Sequence, residues 1–249
     1  MTIDEAAQRA LKPSNDEIRA LPLTTNAKIA AELLPGGEAA LDIGCGEGKF
    51  TRSLAALFRQ VSGIDVKERA IAKAKAAAAE AGVTVDFRVA SAEALPFPDA
   101  SFDTVAFSNS LHHIGDPVRA IGEALRVLKP DGVLYVMEPV ASGNYHDATC
   151  LVNDETAVRT AAYAALSKAD RVCAEREVMY RTERRFADFD EWKADQIDRD
   201  EKRRARFDAQ PDDVRRRFES NAERRDGALV FNQCFRVNVL RKAAAPARV

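Results

Sequence analysis

The segment Leu41-Asp42-Ile43-Gly44-Cys45-Gly46-Glu47-Gly48 concentrates the residue types that build a ligand cradle. Glycines at alternate positions let backbone amides approach a bound group closely, because no side chain stands in the way. Asp42, two residues ahead of the first glycine, either orders this loop, directly or through water, or reaches the ligand itself. Lys49 stands where a dinucleotide fingerprint counted from Gly44 requires a small residue, so the spacing departs from that of a nicotinamide oxidoreductase. Farther along, Gly63-Ile64-Asp65 ends in a carboxylate, which can accept from both hydroxyls of a ribose. His112 and His113 could take a proton from an attacking hydroxyl or amine near neutral pH. Their alternative role is to shape a pocket or to lead into the helix that Asp116 caps. His146, in Gly143-Asn144-Tyr145-His146, is a third such candidate.

These residues need a scaffold, and the hydrophobic pattern supplies one. Thr24, Thr25 and Asn26 offer caps for a helix over AKIAAELL, which Pro35-Gly36-Gly37 stops. Short apolar runs then alternate with helical patterns to about residue 139, which is the signature of βαβ units on a parallel sheet. Strands are expected at 39–43, 61–65, 83–89, 103–107 and 133–137. Helical spacing of Phe50, Leu54, Leu57 and Phe58 places a helix after the glycines, and a second runs from Glu68 to Ala81. The helix after Asp116-Pro117 carries Val118, Ile121, Leu125 and Leu128 as its expected buried stripe. Right-handed crossovers between such units give a doubly wound sheet that binds ligands beyond the carboxyl ends of its strands, where every candidate above falls.

Beyond Pro139 the pattern becomes polar and helical, with one strand near 178–186. A period-two strand ends the fold, with Phe231, Phe235, Val237 and Val239 on one face and Asn232, Arg236 and Asn238 on the other. Tyr145, Tyr163, Tyr180, Phe186, Phe189 and Trp192 are expected mostly in the core, with one or two left to line a pocket. The expected organisation is an N-terminal helical arm over 1–35, a ligand-binding core over 36–140, a helical substrate cover over 141–228, and a final strand with a frayed tail over 229–249.

The glycine segment resembles the first motif of class I S-adenosylmethionine-dependent methyltransferases, and four further segments agree in order and spacing. Gly63-Ile64-Asp65, followed by Val66, resembles the family's ribose-binding strand end. Ser91-Ala92-Glu93-Ala94-Leu95-Pro96-Phe97 is similar to the adenine-side loop, with Ser91 where many relatives carry Asp. Ser108-Asn109-Ser110-Leu111-His112-His113 resembles the stretch flanking the methionine end, and Arg126 to Gly132 matches the helix end before strand five. The resemblance implies an α/β fold with a doubly wound, seven-stranded, mostly parallel sheet and a helical insertion after strand five. It implies S-adenosylmethionine as cofactor, with Asp42, Gly44, Cys45, Gly46, Asp65, Val66, Ala92, Glu93 and Ser108 in contact with it. His112 or His113 would be the general base, and no metal is needed. The branch is that of quinone-biosynthesis C-methyltransferases and other small-metabolite enzymes. The implied activity is methyl transfer to a small organic acceptor, and the alternative is a cofactor-binding sensor or partner subunit without transferase activity.

Composition excludes much else. A formal net charge of −2 provides no basic field to gather nucleic acid. The arginine runs at 202–204 and 215–217 sit in a stretch, 181–226, that holds fourteen basic and fourteen acidic residues, so it is neutral. No Asn/Asp-Pro-Pro-Tyr follows strand four, unlike relatives that methylate exocyclic base amines. Cys45, Cys150, Cys173 and Cys234 lie too far apart for a zinc site or a disulfide framework. With no apolar signal core and no membrane-length run, a cytoplasmic, small-molecule enzyme is the expectation.

Overall fold

The computed structural model describes residues 12–169 and 172–242. The tail expected at 243–249 and the first eleven residues of the expected arm lie outside the described residues. Ten helices and eight strands are found there. The chain begins with α1 (Asn15–Ala20), α2 (Asn26–Leu33), β1 (Gly37–Ile43), α3 (Lys49–Leu54), β2 (Phe58–Asp65), α4 (Glu68–Glu80) and β3 (Asp86–Val89). It continues through β4 (Phe102–Ser108), a 3-10 turn (Leu111–His113), α5 (Pro117–Val127) and β5 (Leu128–Pro139). Then come α6 (Asn144–Thr149), α7 (Thr156–Ser167), β6 (Val172–Phe186), α8 (Phe189–Gln196), α9 (Glu201–Ala209), α10 (Pro211–Asn221), β7 (Glu223–Arg225) and β8 (Ala228–Lys242). The strands pair in the order β3-β2-β1-β4-β5-β8-β6, and short β7 pairs with β8. The pairs β1–β2, β1–β4, β2–β3 and β4–β5 are parallel, and β7–β8 is antiparallel. The fold is the expected α/β class with a mostly parallel sheet, and β7 is a strand more than the expected seven.

By contacts the chain divides into two compact units. The larger one comprises Thr25–Glu138, Ala161–Val178 and Arg236–Val249. One face of its sheet carries Leu41, Ile43, Ile64, Val105, Phe107, Leu134 and Val136 into a core shared with α5. Asp116 caps α5 by accepting from the Arg119 amide, and Pro117 occupies the first turn. Ala120, Ile121, Ala124 and Val127 are the buried residues of α5, while Val118 is 66% exposed. The expected stripe was therefore rotated, because alanines that let a helix lie close to a sheet leave little hydrophobic signal. Leu57 and Phe58 are not helical either. Phe58 opens β2 in register with Gly37, and a buried strand residue mimics helical spacing after so short a helix. At the far end of β1, Asp103 accepts from the Glu38 and Ala39 amides and pairs with Lys129.

The smaller unit comprises Met1–Thr24, Pro139–Thr160 and Met179–Phe235. Its core is aromatic: Tyr145, Phe186, Phe189, Trp192, Phe218 and Phe231, with Phe218 4.8 Å from both Trp192 and Phe231. Asp226 and Gly227 both take positive φ between β7 and β8, as a two-residue hairpin turn requires. Asn232 is buried rather than on an outer polar face, because β8 is buried on both of its faces along this stretch. Its backbone amide donates to Asn144 Oδ1, and its side-chain Oδ1 accepts from Arg181. Arg236, in the larger unit, is also buried, with its guanidinium 4.2 Å from the Tyr163 ring centroid.

Phe218→Ala removes a fully buried ring from the aromatic cluster. It is expected to cost about 3–5 kcal/mol of stability in denaturant titrations followed by circular dichroism.

Candidate active site

The glycine loop between β1 and α3 is bent by three left-handed glycines, with φ of 72° at Gly44, 54° at Gly46 and 73° at Gly48. The amides of Gly44 and Cys45 both donate to the Ile64 carbonyl at 2.8 Å, and Gly48 donates back to Cys45. The three glycines meet different neighbours. A Cβ on Gly44 would lie 2.5 Å from the Ser110 Cβ, and one on Gly48 would lie 2.7 Å from the Phe87 ring. A Cβ on Gly46 would meet nothing within 4 Å, so the loop opens there. Helix α3 has only six residues and contributes little dipole, which leaves the cradle to the loop's own amides.

Asp65 ends β2 beside this loop. Its Oδ2 accepts from the Gly46 amide at 2.9 Å and its Oδ1 from the Lys67 amide at 2.8 Å. Each oxygen keeps a lone pair for a further donor. Val66 follows, exposed on the surface. Asp42 lies fully buried beneath the loop, where Thr51 donates to its Oδ2 at 2.6 Å. Its Oδ1 has no hydrogen-bond partner among the described residues. Burial pushes the Asp42 carboxyl up to about 7, and the nearby Asp65 charge adds to this while the Thr51 hydroxyl opposes it. Burial and the same two carboxylates push the Cys45 thiol up as well, so it is not poised as a nucleophile.

The adenine-side loop expected at 91–97 is pinned from α5. The Ser91 hydroxyl accepts from the Glu93 amide, and Ala92 is buried. Glu93 accepts from the Asp116 amide through Oε1 and from Arg119 through its carbonyl. Arg126 donates to the Leu95 and Phe97 carbonyls and to Asp99, while Glu123 receives the Leu95 amide. Thus Arg126, read in the sequence only as part of a helix-end motif, is a clamp on this loop.

Past Ser108, the chain turns through Asn109 at φ 60° into the 3-10 turn. Ser110 Oγ donates to the Ile43 carbonyl at 2.6 Å, which ties this turn to the end of β1. The two histidines then separate in environment. His112 is buried and His113 exposed, with ring centroids 3.9 Å apart. The residue that organises them was not singled out in the sequence. Glu138, near the end of β5, accepts from the Ser110 and Leu111 amides through Oε1, at 3.1 and 2.7 Å. Its Oε2 meets Nδ1 of His112. The only sequence signal was its place one strand over from the histidines. His146 belongs to the smaller unit, where its Nε2 is 3.5 Å from the Thr156 hydroxyl. Burial and the Arg159 charge shift it toward the neutral ring.

Residues 41–136 match the family described as methyltransferase domain. That span covers the glycine loop, Asp65, the 91–97 loop, both histidines and Arg126. The matched segment is thus similar to a methyltransferase domain over somewhat more than a third of the chain. Over 109 residues the chain is 39% identical to the ubiquinone biosynthesis O-methyltransferase of Xanthomonas axonopodis pv. citri, covering 43% of this chain and 46% of that protein. Over 127 residues it is 40% identical to the 27-O-demethylrifamycin SV methyltransferase of Amycolatopsis mediterranei, covering 47% of each. The chain thus spans about half the length of the curated relatives it matches. Among solved structures, a putative methyltransferase from Bacillus halodurans superposes with a TM-score of 0.64 at 20% identity, covering 89% of this chain and all of that one. That likeness is one of fold. Among the described residues no helix is long and apolar enough to cross a membrane.

Two outcomes are expected for the glycine loop and the carboxyl beneath it. Gly44→Ala is expected to lower the melting temperature well beyond Gly46→Ala, since both strain φ but only the former drives a Cβ into Ser110. The Asp42 carboxyl, raised in the folded state from 3.8 to about 7, favours the fold fully below pH 4 and loses that contribution as pH rises to 7. The stability difference between the native chain and Asp42→Asn, measured by denaturant titration, is therefore expected to shift against the native chain across that window.

Proposed function

We propose that this chain binds S-adenosylmethionine at the glycine loop and transfers its methyl group to a small organic acceptor. The observation that carries the reading is the joined geometry of Gly46 and Asp65: an open loop position beside a carboxylate with lone pairs to spare. The residues present fit the cofactor. The open backbone at Gly46 suits its amino-acid portion, Asp65 its ribose hydroxyls, and Ala92 and Glu93 its adenine, with Cys45, Val66 and Ser108 as further wall. The unpartnered Oδ1 of Asp42 offers a buried acceptor under the loop, for a loop amide or for the cofactor's ammonium.

When bound, S-adenosylmethionine supplies an electrophilic methyl on a sulfonium, which a nucleophile displaces in line. The chain's contribution is to hold the acceptor atom about 3 Å from that carbon, where positioning alone accounts for much of the rate. A hydroxyl or ammonium acceptor must also lose a proton, and His112 or His113 beyond β4 would receive it. No metal enters this scheme. The two relatives are named for different compounds, and this chain covers only about half of each. Acceptor choice in this chain accordingly resides outside the shared domain, in residues 141–228 and the N-terminal arm. The chain's near-neutral net charge supports a small molecule over nucleic acid as the acceptor.

Incubation with methyl-labelled S-adenosylmethionine and a metabolite extract, followed by mass spectrometry, is expected to yield a labelled small molecule. Saturable binding with no labelled product would favour the sensor reading instead. In calorimetry with S-adenosylhomocysteine, Asp65→Ala is expected to weaken binding by about 1–3 kcal/mol, the scale of a lost hydrogen bond to a charged group. Unchanged affinity would remove Asp65 from the ribose site.

A further inference from the structure

We propose that the outer face of α5 is a second binding site, which holds an aliphatic monocarboxylate along the helix. The site lies at the opposite end of the sheet from the glycine loop, and it does not depend on the methyl-transfer reading.

Helix α5 is apolar on two sides. Ala120, Ile121, Ala124 and Val127 are its buried residues. Val118, Gly122 and Leu125 recur at helical spacing on the outside, where a surface helix ordinarily carries polar residues. Val118 and Gly122 are exposed and Leu125 is half-buried. Between this stripe and the end of α7, where Ala165 and Ala169 stand, runs a groove of about 470 Å³. That volume falls within the range of small-molecule sites. Ala100 and Pro130 also line the groove, near the starts of β4 and β5, whereas the glycine loop follows the far end of parallel β1.

Gly122 points to an occupant. Glycine within a helix is less stable than alanine, because it gives up more backbone freedom on folding. Nothing in the described residues requires glycine here: its φ is not left-handed, and a Cβ would meet nothing within 4 Å. What the missing side chain provides is room in the groove for a chain to lie against the helix. From Val118 to Leu125 the helix rises about 10 Å, a length that suits a medium-length alkyl chain.

Charge then selects the head group. The charged side chains that line the groove are Asp99, Arg126, Lys168 and Lys242. Asp99 pairs with Arg126, which is also engaged by Glu123 and by the Leu95 and Phe97 carbonyls. Lys242 donates to the Leu128 carbonyl. Lys168 is exposed and has no ion pair among the described residues. The groove therefore offers apolar walls and a net positive rim. An alkyl body covers Val118, Ile121 and Leu125 while its carboxylate pairs with Lys168. An inorganic anion would leave the apolar walls in water, and a cationic amphipath would meet like charge.

The test is calorimetric titration of the full chain with octanoate and decanoate below their micelle concentrations, with decyltrimethylammonium as the charge control. Saturable decanoate binding is expected, with affinity rising by up to about fourfold per added methylene and no binding of the cation. Gly122→Leu fills the groove at a position with open space and with a better helix former. It is expected to keep or raise the melting temperature while weakening decanoate about tenfold or more. Lys168→Glu is expected to weaken decanoate about tenfold or more and to let decyltrimethylammonium bind. No saturable decanoate binding, equal binding of the cation, or binding that survives both substitutions would each overturn the proposal. A dimer in sedimentation that Gly122→Leu dissociates, with no decanoate bound, would assign the groove to a second copy and overturn it equally. If Gly122→Leu does not fold, Lys168→Glu and the cationic control decide.

Discussion

The carboxylate of Glu138 and the hydroxyl of Ser110 are the two groups on which the arrangement of the strand ends depends. A parallel sheet delivers β1, β4 and β5 side by side, but it does nothing for the amides of the loops that leave them. Those amides need acceptors once they are screened from water. Glu138 accepts two of them from the turn after β4, and Ser110 in that turn donates to the last carbonyl of β1. Three strand ends are linked through two side chains, and His112 is linked to the same carboxylate.

The glycine loop shows the same economy. Gly44 and Gly48 are required less by the ligand than by the protein, because Ser110 and Phe87 occupy the space a side chain would take. Only Gly46 faces open space, and its amide is the one that Asp65 holds. Asp42 beneath the loop is the costly member: a carboxyl out of water, with one oxygen bonded to Thr51 and the other without a partner in the chain. Such a group destabilises the fold when ionised, and proteins retain such strain where a ligand or a loop geometry repays it.

Much of the larger unit was legible in the residues. Asp116-Pro117 announced the start of α5, because caps depend on single residue types and local geometry. The parallel strands were legible because strands buried on both faces read as continuous apolar runs. Where the reading slipped, the competing cause was tertiary. The stripe of α5 turned toward its alanines because the sheet admits a close approach, and Asn232 and Arg236 went inside because β8 is covered on both faces. Phe58 left its helix because β2 begins there in register with β1.

By itself the sequence determined the fold class, the place of the glycine cradle and the set of residues that could surround a cofactor, since these follow from spacing along one strand–turn–helix unit. It placed two histidines beyond β4 but not the carboxylate that meets one of them. Glu138 comes from another strand, with helix α5 between them in the chain. Contacts between strand ends depend on sheet order and register, which are set by burial over the whole domain. Only the tertiary structure could bring Glu138, Ser110 and His112 to one point.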